Sequence, residues 1–250
     1  MIRPRASRDE QGSDSLGLAR HEHVTVVCAH PDDESFGLGA IITTLADAGV
    51  RLRLVCFTTG ESSTLGAGPD LAERRARELD CAARVLGIDQ LRLLAHPDGG
   101  LATVPIDWLA AEIVDIDSDT DALLTFDEGG ITGHPDHEHA TRAAVEAGRK
   151  LGVPVWAWAI PARVAAALRD EFGAPFVGRD DDELDVTVPV DRSRQQRAIA
   201  CHGSQLADNQ VPSRRIELLG PVEAVRLLPA TPPRNHGGPS TTKETRTRAV

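Results

Sequence analysis

Two acid–histidine clusters, far apart in the sequence, hold the residue types best able to do chemistry in this chain. The first cluster is AHPDDE at residues 29–34, and the second is GHPDH at residues 133–137. Imidazole nitrogens and carboxylate oxygens are ligands that zinc uses in catalytic sites. Two imidazoles and one carboxylate would leave positions on the ion for water and a substrate oxygen, the open coordination that catalytic zinc needs. We therefore predict a catalytic metal site that both clusters build.

The cluster residues that would not bind the ion indicate which reaction the site could catalyse. Pro31 rigidifies the first turn, so that His30 and Asp33 can point toward one ion while Asp32 faces the same space. Histidine from residues 133–137 would complete three protein ligands. The spare carboxylate could take a proton from an attacking water, and a spare imidazolium could stabilise an oxyanion and protonate a departing amine. Each helper contributes about 10²–10⁴-fold in rate, and together they describe amide hydrolysis.

The elements around the clusters predict how they meet. Apolar, β-branched runs alternate with helical segments, which predicts strands at residues 23–29, 51–57, 90–94, 122–126, 155–160 and 184–190 and helices at residues 37–48, 70–86, 106–116, 134–150 and 191–206. This alternation predicts an α/β fold, a Rossmann-like three-layer sandwich with a mostly parallel sheet. Because ligands bind outside the carboxyl ends of such strands, the fold should bring both clusters to one rim.

The bulk properties limit the class of protein and its surroundings. Residues 1–20 and 231–250 are polar or turn-rich and are predicted to be disordered tails around one domain at residues 21–230. No apolar run reaches a membrane span and no secretory signal is visible. The lack of both features predicts a cytoplasmic protein. The four cysteines are widely spaced, so we expect reduced thiols and no disulfide. A net charge of −11 argues against nucleic acid as a partner and leaves a homo-oligomer open.

The clusters and the shorter motifs around them resemble the PIG-L or LmbE-like de-N-acetylases, which are zinc enzymes that act on N-acetylglucosaminyl groups. The pair of AHPDDE and a downstream HPDH carries the resemblance most specifically. Weaker matches are TTGE at residues 58–61, Arg75 with Glu78 and a following LG, DGGL at residues 98–101 and CHGSQ at residues 201–205. The resemblance extends over residues 23 to 207.

The resemblance implies a role for each of five residues in the two clusters. It implies that His30, Asp33 and His137 bind zinc. It further implies that Asp32 is the general base and that His134 is the electrophilic or general-acid imidazole. Some relatives also use a tyrosine to stabilise the transition state, but this chain has none. That role is then either absent or carried by another donor, such as His134 or Arg75.

The resemblance also implies supporting residues, each of which has a plain structural alternative. Asp136 would orient or tune a histidine, or it is merely a favourable carboxylate at a helix start. Arg75, Asp98 and His202 would contact the substrate. Alternatively, they are a surface arginine, the residue of an Asx-turn and a buried histidine near a helix end. A third HPD, at residues 96–98, is predicted to be a loop without a metal.

The predicted function is that of a zinc-dependent hydrolase. It would remove an N-acetyl, or another N-acyl, group from a small molecule that contains an amino sugar, by attack of a metal-bound water. Fe²⁺ could occupy the same two-histidine, one-carboxylate set. One alternative is a zinc amidase that cleaves a thiol conjugate or a non-sugar amide. A non-catalytic metal-binding protein is a further alternative, against which the spare Asp32 and His134 argue, because structural zinc needs no base.

Overall fold

A seven-stranded sheet carries the fold in residues 17–207 and 209–229, which the computed structural model describes. The strands in chain order are β1 His23–Cys28, β2 Arg51–Thr58, β3 Gln90–His96, β4 Ala122–Phe126, β5 Val155–Ala159, β6 Val186–Pro189 and β7 Val222–Leu228. Across the sheet the order is β3-β2-β1-β4-β5-β7-β6. The strands β1 to β5 pair in parallel, and β7 runs antiparallel to β5 and β6. The prediction of a mostly parallel α/β sheet is confirmed.

Helices cover both faces of this sheet. In the described part of the chain they are α1 Asp33–Phe36, α2 Gly39–Asp47, α3 Leu71–Leu86, α4 Ile106–Ile116, α5 Gly130–Gly133, α6 Pro135–Leu151, α7 Ala162–Phe172, α8 Ser193–Cys201, α9 Gly203–Leu206 and α10 Val211–Leu219. Alternate side chains of β1 enter different cores: Val24 and Val26 pack with α2 and α3, whereas Val27 packs with α4 and α6. None of these described helices is long and apolar enough to cross a membrane.

The last third of the chain departs most from the predicted elements. The helices α7 and α10 and the strand β7 were not predicted, and the predicted helix at residues 191–206 is two helices that meet at His202. The predicted tail at residues 231–250 lies outside the described residues. Of the tail predicted at residues 1–20, only Gly17–Arg20 is described, and it forms a 3₁₀ helix.

Cys81 on α3 forms a disulfide with Cys201 on α8, so the prediction that all four cysteines are reduced was wrong. The two Cα atoms are 5.9 Å apart, although the sequence separation is 120. Cys28 and Cys56 are buried free thiols. The pairing could not be read from the sequence because it depends on how α3 and α8 pack. The cysteine pattern therefore no longer supports a reducing compartment.

We expect Cys81→Ser to lower the free energy of unfolding by about 2–4 kcal/mol, because the bond closes a long loop and so restricts the unfolded chain. Urea unfolding with and without a thiol reductant measures this effect. Reductant should shift the wild-type midpoint to that of the variant and should leave the variant unchanged. A wild-type midpoint that does not respond to reductant would contradict the expected contribution.

Candidate metal centre and active site

The first cluster forms a tight turn at the carboxyl end of β1. One carboxylate oxygen of Asp33, Oδ2, accepts the backbone N–H groups of Ala29 and His30 at 3.0 and 2.9 Å. These bonds fix the side chain, and its other oxygen faces the second cluster. The preceding residue, Asp32, has a φ of 107°, a left-handed conformation that side chains other than glycine rarely adopt. The turn therefore points the side chains of Asp32 and Asp33 in different directions.

The second cluster lies where β4 passes through α5 into α6. His134 is the N-cap of α6, and its Nδ1 accepts the backbone N–H of Asp136 at 3.2 Å. Pro135 occupies the first helical position, where a backbone N–H has no acceptor within the helix, so proline loses no hydrogen bond there. His137 follows in the first turn, and its Nδ1 lies 3.0 Å from the carbonyl oxygen of Gly130. The start of the helix thus aims two imidazoles past the end of β4.

The adjacency of β1 and β4 brings the two clusters together, across 107 residues of sequence. Nδ1 of His30 lies 3.1 Å from Nε2 of His137. That same Nε2 lies 3.1 Å from Oδ1 of Asp33. The ring of His134 is centred 5.0 Å from the rings of both other histidines. The four residues His30, Asp33, His134 and His137 therefore meet at one rim. The fifth, Asp32, lies in the same turn as Asp33.

Hydrogen-bond partners decide which histidine nitrogens carry protons. Nε2 of His30 lies 3.0 Å from Asp98 and 3.2 Å from Asp136, and because carboxylates only accept, this nitrogen bears a hydrogen. Nδ1 of His137 bears a hydrogen for the same reason, since it faces the carbonyl of Gly130. When both imidazoles are neutral, as metal binding requires, the two nitrogens that face each other present lone pairs. Lone pairs at this distance suit a shared cation.

The donor set and its charges fit a metal ion. Zinc with ligand bonds of about 2.0–2.1 Å holds its tetrahedral ligand atoms about 3.3 Å apart, close to the 3.1 Å separations of His137 from His30 and Asp33. Although burial raises it, the pKa of Asp33 is held well below its usual range by His137 and His30. Burial lowers the pKa of His30, but the carboxylates of Asp136 and Asp98 outweigh burial and raise it to about 10. The site therefore favours positive charge where the ligands converge.

Asp32 opens onto a cavity beside the ligand residues. Its side chain is 19% exposed, and its Oδ2 lies 3.1 Å from Nη2 of Arg75. Its backbone N–H donates to Glu34 at 3.0 Å. Burial raises the pKa of Asp32 to about 6, against the lowering effect of Arg75. A carboxylate of raised pKa that faces a cavity has the properties of a general base.

Arg75 is buried against the Asp32 turn, so the surface-arginine alternative was wrong. Only 3% of the residue is exposed. Its guanidinium donates to the carbonyl of Gly60 at 2.7 Å and to the carbonyl of Pro31. Gly60 has a φ of 67°, and a side chain there would collide with the guanidinium. Arg75 also lines the cavity, so it is placed to orient Asp32, and its predicted contact with a sugar stays a prediction.

Asp136 contacts His30, which is predicted to bind the metal. It is fully buried, and its carboxylate accepts from His30 and from the backbone N–H groups of Gly99 and Leu101 at 2.8 and 3.1 Å. Asp98, predicted to contact the substrate, lies against the same imidazole nitrogen as Asp136. Asp98 also lines the cavity, so a substrate contact remains open to it. In the third HPD, His96 ends β3 and only Pro97 and Asp98 lie in the loop, from which Asp98 reaches His30 of the predicted metal site.

We expect Asp136→Asn to weaken metal binding about 10–100-fold, because a carboxylate that holds a ligand histidine sets its orientation and basicity. Competition against a chelator of known affinity measures the change. The matched control is Asp107→Asn, which alters an exposed aspartate paired with Lys150. Equal metal affinity in the two variants would contradict the role of Asp136.

His202, predicted to contact the substrate, is buried against the first cluster. It has no exposed surface, and its Nε2 lies 2.7 Å from Oε1 of Glu34. Glu34 in turn accepts the backbone N–H of Asp32. Among the described residues that line the cavity, His202 does not occur. Its position favours a role in holding the Asp32 turn, through Glu34, over contact with a substrate.

The cavity at this rim has a volume of about 670 Å³ and two chemically different sides. Loops after β2 and β3, together with α9, form the polar side, which includes Ser62, Ser63, Asp98 and Gln205. The ends of β4 and β5, with α10 and the loop before β6, form the aromatic side, which includes Phe126, Trp158, Phe176, Val211 and Arg215. The predicted metal ligands lie between the two sides. A substrate bound at the centre would therefore meet hydroxyl-binding groups on one side and apolar surface on the other.

Sequence reasoning missed the aromatic side. The ring of Phe126 is centred 5.0 Å from that of His137 and 5.3 Å from that of Trp158. Both aromatic residues lie at or near the carboxyl ends of parallel strands, a position that could have marked them as lining the site. Arg215 lies on α10, a helix that was not predicted, and no sequence signal placed it near the clusters.

The fold and the site together define a class of protein, the metal-dependent hydrolases built at the carboxyl ends of a parallel sheet. Within that class the chain belongs to the PIG-L family. The family model described as GlcNAc-PI de-N-acetylase matches residues 25–148, which include both clusters.

Curated relatives support the same family. The chain is 30% identical over 233 residues to a 1D-myo-inositol 2-acetamido-2-deoxy-alpha-D-glucopyranoside deacetylase of Acidothermus cellulolyticus, a match that covers 73% of this chain and 79% of the relative. It is 28% identical over 222 residues to a probable N-acetyl-alpha-D-glucosaminyl L-malate deacetylase 2 of Bacillus anthracis, with 86% and 95% covered. Both relatives are named as deacetylases.

Solved structures share the fold. N,N'-diacetylchitobiose deacetylase from Pyrococcus horikoshii superposes with a TM-score of 0.63 at 22% identity, over 87% of this chain and 88% of that one. The deacetylase of the A40926 pseudoaglycone superposes with a TM-score of 0.63 at 19% identity, over 84% and 98%. The three-layer α/β architecture is therefore that of known deacetylases.

Proposed function

We propose that this chain is a zinc-dependent hydrolase that removes an N-acetyl, or another N-acyl, group from a small molecule containing an amino sugar. The convergence of His30, Asp33 and His137 at one rim carries this proposal, because it leaves Asp32 and His134 free beside the same cavity. Membership of the PIG-L family and the deacetylase names of its relatives support it.

The side chains around the ligand set would divide the work of amide hydrolysis. When bound, the ion would polarise the amide carbonyl and make water more acidic. Asp32 would take the proton of the attacking water, since its carboxylate opens onto the cavity and Arg75 holds it in place. The same carboxyl could later give this proton to the amine nitrogen as the carbon–nitrogen bond breaks. One residue would then serve as base and acid in turn.

His134 is better placed to stabilise charge than to supply a proton. Its Nδ1 accepts the backbone N–H of Asp136, so its hydrogen lies on Nε2. Burial lowers the pKa of His134, and His137 and His30 lower it further. A neutral imidazole does not give up its last hydrogen, but that hydrogen can bond to the oxyanion of the tetrahedral carbon. We therefore place His134 as the oxyanion donor in a chain without tyrosine.

The two sides of the cavity suggest how the amino sugar lies. Ser62, Asp98 and Gln205 offer hydroxyl, carboxylate and amide groups to sugar hydroxyls on the polar side. The acyl carbon would lie at the ligand set, with the sugar toward the loops after β2 and β3. This orientation would keep the roles that the sequence predicted for Asp98 and Arg75 in contacting the substrate.

A metal-reconstituted screen tests the proposal. Protein loaded with Zn²⁺, or with Fe²⁺ without oxygen, would be incubated with GlcNAc, N,N'-diacetylchitobiose and N-acetylglucosaminyl conjugates, and with N-acetylcysteine conjugates as non-sugar amides. Acetate and primary amine should appear in equal amounts from at least one sugar. Asp32→Asn protein is the blank for contaminating activity. Hydrolysis of the non-sugar amides alone would favour the amidase, and no hydrolysis by metal-loaded protein would overturn the proposal.

A further inference from the structure

Arg215 places a buried cation in the wall of the cavity. Only 6% of the residue is exposed, and its guanidinium carbon lies 4.9 Å from the centre of the Trp158 ring. Within residues 17–207 and 209–229, its Nε and Nη2 have no hydrogen-bond partner and no carboxylate forms an ion pair with it. Its neighbour Arg214, by contrast, pairs with Glu171 and Glu217 at the surface. Arg215 is thus a buried charge whose countercharge is missing from the described chain.

The two acids whose charges act on Arg215, Glu223 and Asp33, are already engaged elsewhere. Asp33 accepts backbone N–H groups of the first cluster and faces His137. Glu223 accepts from Arg192 at 2.5 Å and from Nε1 of Trp158 at 2.7 Å. Burial lowers the pKa of Arg215 to about 10, with Glu223 opposing the shift, so the guanidinium remains charged at neutral pH. An unpaired buried charge is costly, so an apolar side chain of similar size in its place should be neutral or stabilising. A purely structural account of this arginine is therefore weak.

The route from the ligand set to Arg215 is apolar. The rings of His137, Phe126 and Trp158 succeed one another at centroid distances of 5.0 and 5.3 Å, and the guanidinium packs on the far ring. Such a route suits a substituent with an apolar body, and the cation at its end suits an anionic terminus.

We propose that the aromatic side of the cavity binds a carboxylate carried on an apolar stem of the substrate, with Arg215 as its countercharge. This specificity rests on the proposed hydrolase function and adds the chemical class of a second substrate group. The stem could belong to the acyl chain or to the aglycone of the amino sugar. In both cases the protein would recognise an apolar segment that ends in an anion.

Ligand binding tests the proposal without any turnover. Calorimetry with 4-phenylbutyrate and with its neutral amide would compare the wild type, Arg215→Gln and the control Arg214→Gln, all loaded with Zn²⁺. The wild type and the control should bind the carboxylate about 10–100-fold more tightly than Arg215→Gln does. Binding of the carboxylate by the metal alone would survive in Arg215→Gln, so equal affinity in all three proteins would overturn the proposal.

Turnover of matched substrates then shows whether the apolar stem belongs to the acyl chain or to the aglycone. One arm compares N-hexanoyl with N-(5-carboxypentanoyl) glucosamine, and the other compares phenyl with 4-carboxyphenyl N-acetylglucosaminide. The wild type and Arg214→Gln should favour the carboxylate in one arm, and Arg215→Gln should lose that preference. A lack of preference in both arms, with hydrolysis intact, would overturn this inference alone. A lack of all hydrolysis would count against the proposed function, and the binding result would still stand.

Stability separates a binding role from a structural one. Arg215→Met keeps the length of the side chain and removes the charge. If Arg215 binds a ligand, the ligand-free variant should unfold at the same temperature as the wild type or higher. At one concentration of 4-phenylbutyrate, the wild type should then be stabilised more than the variant. A large fall in the unfolding temperature of the variant would identify Arg215 as structural and overturn the proposal.

Discussion

Replacement of Asp32 by asparagine should lower kcat by about 10²–10⁴-fold while bound metal is retained. Asparagine keeps the shape of the side chain and tolerates the left-handed backbone at this position, where φ is 107°. The substitution therefore removes the ability to accept a proton with little change elsewhere. Arg75 would keep its bonds to the carbonyls of Pro31 and Gly60, so the turn should survive. Steady-state kinetics on a substrate found in the screen measures the effect.

Two comparisons make the Asp32 result specific. Metal content, measured by atomic emission, should equal that of the wild type, because Asp33 and the two histidines remain. Asp107→Asn, at an exposed position, should turn over at the wild-type rate. Turnover of Asp32→Asn within a few-fold of the wild type, with metal present, would refute Asp32 as the base.

Replacement of His134 by asparagine should lower kcat by about 10²–10³-fold, the cost of losing one donor to a developing oxyanion. Asparagine is a good N-cap residue, so it can still accept the backbone N–H that Nδ1 of His134 accepts now. His134→Ala would also lose the cap, at a cost of about 1 kcal/mol in stability. The difference between the two variants separates helix capping from catalysis, since both should be slow but only the alanine variant should also be less stable.

Metal affinity decides between two roles for His134. Its ring nitrogen lies close enough to those of His30 and His137 to form a possible third imidazole ligand. As an oxyanion donor, His134 should leave metal affinity unchanged when it is replaced by asparagine. A large loss of metal from His134→Asn, measured against a chelator, would instead make it a ligand and remove it from the mechanism.

The approach of the two clusters could be predicted from the sequence because local rules determine it. Strand–helix alternation located β1 and β4, and parallel strands bring their carboxyl ends to one edge. The clusters that follow those strands had to approach one another if the two strands were neighbours. Pro135 at the start of α6 likewise marked the helix that aims His137. These inferences need no knowledge of side-chain packing.

Residues whose place depends on tertiary packing could not be located in this way. Asp98 reaches His30 only because the loop after β3 folds over the rim, and nothing local requires that. His202 interrupts a run with continuous helical spacing and becomes buried against Glu34. Arg215 lies on a helix whose pattern was too weak to predict. In each case the contact joins segments far apart in the chain, which periodicity and spacing do not reveal.

The neighbouring positions of β1 and β4 have a consequence for how the protein matures. The ligands on either side of the centre are 107 residues apart in the sequence, so the unfolded chain holds no preformed set of them. An ion then binds the native chain in strong preference to the unfolded one, and its binding free energy adds to the free energy of folding. At a free concentration 100 times the Kd this contribution is about 2.7 kcal/mol. Since β4 must join β1 before the set exists, metal uptake reports that the middle of the sheet has been assembled.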